Sequence, residues 1–183
     1  MQMEEKTLSS ELRFDGRILH VFEDDILLPD GQKAKREHIT HVGAVCILPL
    51  TDDGQVVLER QFRYPFREVI VEIPAGKLDS ADEDPREAAL RELREETGIV
   101  PREILYLGDY YGCPAFVGER VRMFFARGLS YGEQELDKDE FLEVFTMPLD
   151  ELVEKVLAGE IPDGKTQAAV MRVYAMLQKE KKL

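Results

Sequence analysis

The sequence predicts an α/β fold in which a mixed β-sheet is sandwiched by helices, with a β-rich extension at the N-terminal end. Three observations carry that prediction. Patterns along the chain run β-rich, helical, β-rich, helical, helical. The helical stretches bring their own start and stop signals. A chain of 183 residues, 44% of them hydrophobic, can bury one core as a single domain with a small appendage.

The first forty residues read as extended pieces around Leu12–Phe14, Arg17–Leu28 and Lys33–His41, the last two joined in a hairpin by the turn signal Pro29-Asp30-Gly31. VGAVCILPL (42–50) and VVLERQFR (56–63) are β-rich runs separated by the loop TDDG. EVIVEIP (68–74) reads as a further strand, alternating around Val69, Val71 and Ile73. The clearest helix covers 84–98. Asp84 is an N-cap, Pro85 fits the first helical position and Glu87 completes a capping box. Ala89, Leu90, Leu93 and Thr97 form its inward stripe, and Gly98 is the stop. Strands are expected near 103–111, 120–128 and 141–147, then helices over 149–158 and 165–180. In the last, Ala169, Val170, Val173, Tyr174 and Leu177 recur at helical spacing as a packing face.

Charge and composition exclude several functions. A net charge of −13 is the opposite of a nucleic-acid footprint, so no nucleic-acid partner is expected. Phosphorylated substrates would need local arginines or metal ions to approach such a chain. The opening MQMEEKTLSS lacks the apolar stretch of a secretory signal, and the apolar run Val42–Leu50 is too short to span a bilayer. Cys46 and Cys113 show no metal-ligand spacing and suit a reducing compartment. A cytoplasmic protein with no membrane partner is the expectation.

Within the first helix, RELREETG (91–98) sets Glu92 beside both Glu95 and Glu96. Residues three and four apart on a helix are surface neighbours, and each like-charged pair costs a few tenths of a kcal/mol. Such a face is either solvated or a cage for a cation. Mg²⁺ takes oxygen ligands, which carboxylates on one helix face and a backbone carbonyl can supply. The Ala75–Gly76 bend before the helix allows a carbonyl to turn inward, and Arg91 is placed to orient the acids.

Gly76, Glu83 and the run Arg91-Glu92-Leu93-Arg94-Glu95-Glu96-Thr97-Gly98-Ile99 resemble the Nudix box, G-x5-E-x7-R-E-U-x-E-E-x-G-U with U apolar. From Glu83 onward the match is complete. Six residues, rather than five, separate Gly76 from Glu83. The preceding EIPAGKL and later segments are similar to the ADP-ribose pyrophosphatase branch of that family. The resemblance implies a Nudix-type α/β/α sandwich over residues 42–183, with residues 1–41 as the N-terminal β-rich extension. It implies metal-dependent hydrolysis of the pyrophosphate of ADP-ribose to AMP and ribose 5-phosphate, with Mg²⁺ (or Mn²⁺) as cofactor. Glu92 and Glu96 would be the main metal ligands, with Glu95 and the Ala75 carbonyl completing the set; Glu95 and Arg91 also belong to the catalytic group. The resemblance further implies a homodimer whose N-terminal strands cross to the partner and help bind adenine.

In this branch the base that deprotonates the water lies on a loop after the box. The matching loop is GEQELDKDEFLEV (132–144), and Glu140 is the candidate, with Glu133, Glu135 and Asp139 as rivals. Arg60 and Arg63 in ERQFRYPF are candidates to grip phosphate or stack on adenine. On a strand they point to opposite faces, so both reach one ligand only if the strand ends or bends near Tyr64-Pro65. Pro114 sits where the branch carries its marker proline, followed by Ala115-Phe116 where many relatives have Gly-Phe; Glu119 is a further candidate for ligand contact.

Two motifs are decoys. GEIPDGKT (159–166) satisfies the P-loop pattern, but it follows a helical stretch rather than a strand and carries Glu160, Asp163 and Pro162 where phosphate would approach. His38 and His41 fall on opposite faces of a strand, which argues against a two-histidine metal site. The alternatives to ADP-ribose hydrolysis are another nucleoside diphosphate sugar or dinucleotide as substrate, or a nucleotide-sensing module that does not cleave. A metal cage predicts a measurable rise in Tm at millimolar Mg²⁺, whereas a sensor or scaffold without one shows little.

Overall fold

A computed structural model describes residues 3–136, 138 and 140–180. The chain divides into two compact units, Met1–Val42 with Tyr111–Arg120, and Gly43–Tyr110 with Val121–Leu183.

The first unit is a three-stranded antiparallel sheet of β1 (Lys6–Asp15), β2 (His20–Leu27) and β3 (Lys33–Thr40). The expected β2–β3 hairpin is present and turns through Gly31, whose φ is 84°. The first strand is longer than the apolar triplet at 12–14 suggested, because β1 pairs with β2 from Lys6 to Asp15, with irregularities at Leu8 and Arg13, despite exposed side chains throughout. In the 111–120 segment, the Ile39 N–H donates to Phe116 O (2.8 Å) and Gly118 N–H to Ile39 O (2.8 Å). His38 stacks on Phe22 and its Nε2 lies 3.2 Å from Asp24, while His41 faces Glu119 at 3.7 Å, so the two histidines serve different partners.

The second unit is the α/β/α sandwich. Its sheet runs β10 (Leu142–Pro148), β5 (Gln55–Arg63), β4 (Ala44–Leu50), β9 (Val121–Tyr131), β8 (Ile99–Tyr110), with β6 (Glu68–Glu72) on β5 and β7 (Ala75–Lys77) on β4. The β4–β9 pair is parallel and the others antiparallel, which makes the sheet mixed. Strand alternation divides the core. Val45 and Ile47 of β4, Val57 of β5, and Phe124 and Ala126 of β9 pack with Ala88, Ala89 and Leu93 of α1 (Pro85–Thr97). Cys46 and Leu48, Val56 and Leu58, and Met123 and Phe125 pack on the other side. There they meet Leu149, Leu152 and Val153 of α2 (Leu149–Leu157), and Ala169, Val170 and Val173 of α3 (Gly164–Glu180). Burial pushes the Cys46 thiol up to about 12, so it behaves as an apolar side chain. Among the described residues no helix is long and apolar enough to cross a membrane.

Helix α1 starts as expected: Asp84 Oδ1 accepts from the N–H groups of Arg86 (2.8 Å) and Glu87 (3.3 Å). The capping box expected of Glu87 is not formed among the described residues: its carboxylate accepts from Arg86 Nη1 and not from the Asp84 N–H. Gly98 closes the helix at φ 70°, where a β-carbon would strike the Gly132 carbonyl. Ala88, with Ala89 and Leu93, is a buried member of the stripe, and Leu90 is only partly buried. From β6 onward the alternation expected around Val69, Val71 and Ile73 holds in part: Ile73 is fully buried and Val71 half-buried against the α2–α3 core, but Val69 is exposed, and Ile70 and Glu72 are buried as well. The strand pairs along β5 with Glu72 opposite Glu59, and this register sets its faces.

The P-loop look-alike is the junction into α3. The Thr166 hydroxyl, fully buried, donates to Asp163 Oδ2 (2.6 Å) and accepts from the Ile73 N–H (3.0 Å), tying α3 to the end of β6. Thr166→Val should lower the unfolding free energy by about 1–3 kcal/mol, since the Ile73 N–H loses its acceptor; a urea titration followed by circular dichroism measures it.

Candidate active site

Helix α1 presents its carboxylates to the strand that precedes it. The Ala75 N–H donates to Glu96 Oε2 at 3.0 Å, and Glu96 is buried. A β-carbon on Gly76 would fall on the Glu92 carboxylate. Gly76 is not among the residues with positive φ. The glycine is therefore required for space and not, as expected, for a bend; Ala75–Lys77 is a short strand.

Arg91 ties the acids together. Its Nη1 donates to Glu92 (2.8 Å) and Glu95 (3.1 Å), its Nε to Glu83 (3.3 Å), and its Nη2 to the Lys77 carbonyl (3.4 Å). Burial works against the Arg91 charge, but Glu83, Glu92 and Glu95 more than offset it and raise Arg91 above its ordinary range. Glu83 also accepts from the Asp79 N–H (2.6 Å), and that bond, with Arg91, lowers its pKa. The extra residue between Gly76 and Glu83 is thus taken up in a turn closed on Glu83 itself.

The segment after β9 is fastened to the C-terminal end of α1. Gly132 N–H donates to Gly98 O (2.7 Å), the Gln134 amide to Glu96 O, and Glu135 N–H to Glu95 O (2.9 Å). Glu135 reaches back to Arg94 at 3.7 Å and Glu133 is exposed. Asp139 lies outside the described residues. Glu140 is half-buried, and its charge bears on Glu59, Glu92 and Glu96.

Burial, with the repulsion of Glu95 and Glu140, pushes Glu92 up to about 7 against the pull of Arg91. Burial and then the Glu59 charge raise Glu96 further, and burial followed by Glu72 raises Glu59. Glu59 was not singled out from the sequence. Both its oxygens are buried and have no hydrogen-bond partner among the described residues. Glu72, opposite it, was also missed: burial raises its pKa, but Arg63 and Lys165 lower it by more. The missed signal was parity, since an acid two residues after inward Val57 or Ile70 must itself point inward.

The two arginines diverge. Strand β5 ends at Arg63, whose Nε and Nη2 bind the Glu72 carboxylate (2.6 and 2.8 Å). Arg60 lies over the Phe145 ring (3.7 Å) and 3.4 Å from Glu143. Pro114 and Glu119 belong to the first unit. Pro114 opens an exposed turn in which the Val117 N–H donates to Cys113 O (3.0 Å), and Ala115 has no positive φ, so this turn needs no glycine.

The donors suit a hard divalent cation: they are carboxylate oxygens, repelling one another in a low-dielectric setting. Among the described residues no three of them already converge on one point. Like charges hold apart, and a cation would supply the attraction.

Residues 40–169 match the NUDIX domain family, and residues 5–39 match the Nucleoside diphosphate sugar hydrolase N-terminal domain. The chain is 40% identical over 183 residues to the ADP-ribose pyrophosphatase of Bacillus subtilis, covering 98% of each. It is 42% identical over 177 residues to the methanol dehydrogenase activator of Bacillus methanolicus, covering 96% of this chain and 94% of the relative. A crystal structure described as an ADP compounds hydrolase shares the fold at a TM-score of 0.85 and 19% identity, covering 100% of both chains. The chain belongs to the Nudix hydrolase family, whose members generally depend on a divalent metal ion.

Two outcomes are expected. Gly76→Ala brings no backbone strain but displaces Glu92, and should weaken Mn²⁺ binding by about 10–100-fold in a titration without substrate. The second concerns pH. Glu59, Glu92 and Glu96 bind protons more tightly folded than unfolded, so their contribution is fully present below the ordinary value of 4.5. It is lost as pH rises through about 7 for Glu92, and higher for the other two. Above about pH 6, where the lowered Glu72 and Glu83 are already ionised, the metal-free Tm should fall with pH, and saturating divalent ion should flatten the fall.

Proposed function

We propose that this chain hydrolyses the pyrophosphate of ADP-ribose to AMP and ribose 5-phosphate, with Mg²⁺ as the cofactor and Mn²⁺ able to replace it. The observation that carries this reading is the burial of Glu92, its carboxylate against Gly76, and of Glu96 on the same helix, both raised further by the charge of Glu140. The ADP-ribose pyrophosphatase of Bacillus subtilis, similar over nearly its whole length, supports the substrate.

Glu92, Glu95, Glu96 and the Ala75 carbonyl would hold the metal, and Arg91 would orient the carboxylates it already binds. Bound divalent ions neutralise a pyrophosphate and acidify a water beside it. Glu140 takes the proton of that water, a step worth about 10²–10⁴-fold for a positioned base. Arg60 meets substrate with the part of its guanidinium left clear of Phe145 and Glu143. Arg63, already oriented by Glu72, offers its remaining N–H to phosphate. Pro114 and Glu119 set substrate choice.

In the same reading, residues 1–41 are a separate β-rich extension to the hydrolase domain at 42–183, and the protein is a cytoplasmic homodimer. The exposed Leu8, Leu12 and Phe14 of β1 support a dimer in which the N-terminal strands cross to the partner. The match of residues 5–39 to a nucleoside diphosphate sugar hydrolase domain favours one second reading, a different nucleoside diphosphate sugar.

A product assay with Mg²⁺ compares ADP-ribose, GDP-mannose, diadenosine polyphosphates, NADH and deoxynucleoside triphosphates. ADP-ribose should be cleaved fastest, giving AMP, with Glu96→Gln nearly inactive. Glu140→Gln should lower kcat by about 10²–10⁴-fold and leave KM little changed, whereas Glu133→Gln and Glu135→Gln should retain activity. Faster cleavage of another substrate would move the assignment to the second reading; ligand binding without any cleavage would make the protein a sensor.

A further inference from the structure

Strand β5 sends Val56 and Leu58 into the core shared with α2 and α3, and Val57 into the core shared with α1. Alternation puts Glu59 on the side of Val57, the side where α1 carries Glu92 and Glu96. Its residue is fully buried, and neither carboxylate oxygen has a hydrogen-bond partner among the described residues. The neighbouring cations are committed elsewhere. Arg63 is bound bidentately to Glu72, and Lys165 is paired with Glu72 and Asp163.

A buried carboxylate with no partner is costly, and β5 shows what an inert residue here would be, since Val56, Val57 and Leu58 fill the adjoining positions. Glu59 therefore sits where a valine would pack without cost. Its surroundings supply a reason: the charges of Glu72 and Glu140 bear on it and its own bears on Glu96, and the shared need of these acids is positive charge. Glu72 marks the contrast, because the same strand pair meets the same need there with Arg63 and Lys165.

We propose that Glu59 is a further ligand of the divalent-cation site, contributing a carboxylate from the sheet opposite those supplied by α1. The proposal rests on the metal site described under the proposed function. A carboxylate from β5 would raise the charge and number of oxygen donors around the ion, two features that tighten divalent-cation binding. It would also join the ion directly to the central strands.

The test is a Mn²⁺ titration of the full chain without substrate, with free Mn²⁺ read by electron paramagnetic resonance. It compares the unaltered protein, Glu59→Gln, Glu59→Val and the control Glu92→Gln. Gln keeps the shape of the side chain, and Val restores the pattern of β5, so a failure of one to fold leaves the other. Both Glu59 variants should bind Mn²⁺ at least about tenfold more weakly. Their Tm in EDTA should equal or exceed that of the unaltered protein, while the rise in Tm on adding Mn²⁺ shrinks. Unchanged affinity and stoichiometry in both Glu59 variants, with Glu92→Gln impaired, would overturn this inference and leave the metal site standing. Failure of the unaltered protein to bind Mn²⁺ would overturn the metal site itself, and this inference with it.

Discussion

Buried negative charge is the constraint around which the second unit is built. Glu59, Glu72, Glu92 and Glu96 are all drawn out of water, yet the protein treats them in two ways. Glu72 is neutralised from both sides by Arg63 and Lys165 and holds α3 to the sheet. Among the described residues Glu59 and Glu96 are in no ion pair; Lys165 and Arg63 act on Glu59 only through charge, and Arg91 pairs with Glu92. Full internal pairing produces an inert joint, whereas incomplete pairing leaves an attraction for an external cation. The difference between structure and site here is a difference in charge balance within a few residues of the same strands.

Helix α1 is the mounting for all of it. Its start is held by Asp84, its middle packs through Ala88, Ala89 and Leu93, and its end is closed by Gly98. The same end receives Gly132, Gln134 and Glu135, so the start of the segment after β9 takes its position from the helix that carries Glu92 and Glu96. Glycines at 76 and 98 permit two close approaches, one by the Glu92 carboxylate and one by the Gly132 carbonyl. The candidate ligands on α1 and the start of the segment after β9 are therefore referred to one helix.

Similarity alone assigns the chemistry better than the substrate. Relatives named ADP-ribose pyrophosphatase and methanol dehydrogenase activator share 40% and 42% of this sequence, so overall identity does not separate them. One fold carries many substrates, so the substrate has to be argued from individual site residues rather than from overall similarity.

The sequence by itself determined what depends on short separations along the chain. The caps of α1, the spacing of Glu92, Glu95 and Glu96, the β2–β3 hairpin and the layered α/β order all follow from local periodicity and turn chemistry. The failed P-loop was legible for the same reason, since its neighbours contradict it. Tertiary structure alone decided which acids meet. Glu59 lies far along the chain from Glu96; parity with Val57 says that it points inward, but that this side meets α1 was decided only by the fold. Arg63 looked available until β6 brought Glu72 against it, and Gly76 looked like a bend until Glu92 was seen to occupy the space of its missing side chain. A carboxylate's role is set by the charges around it, and those arrive from strands and helices that only the fold brings together.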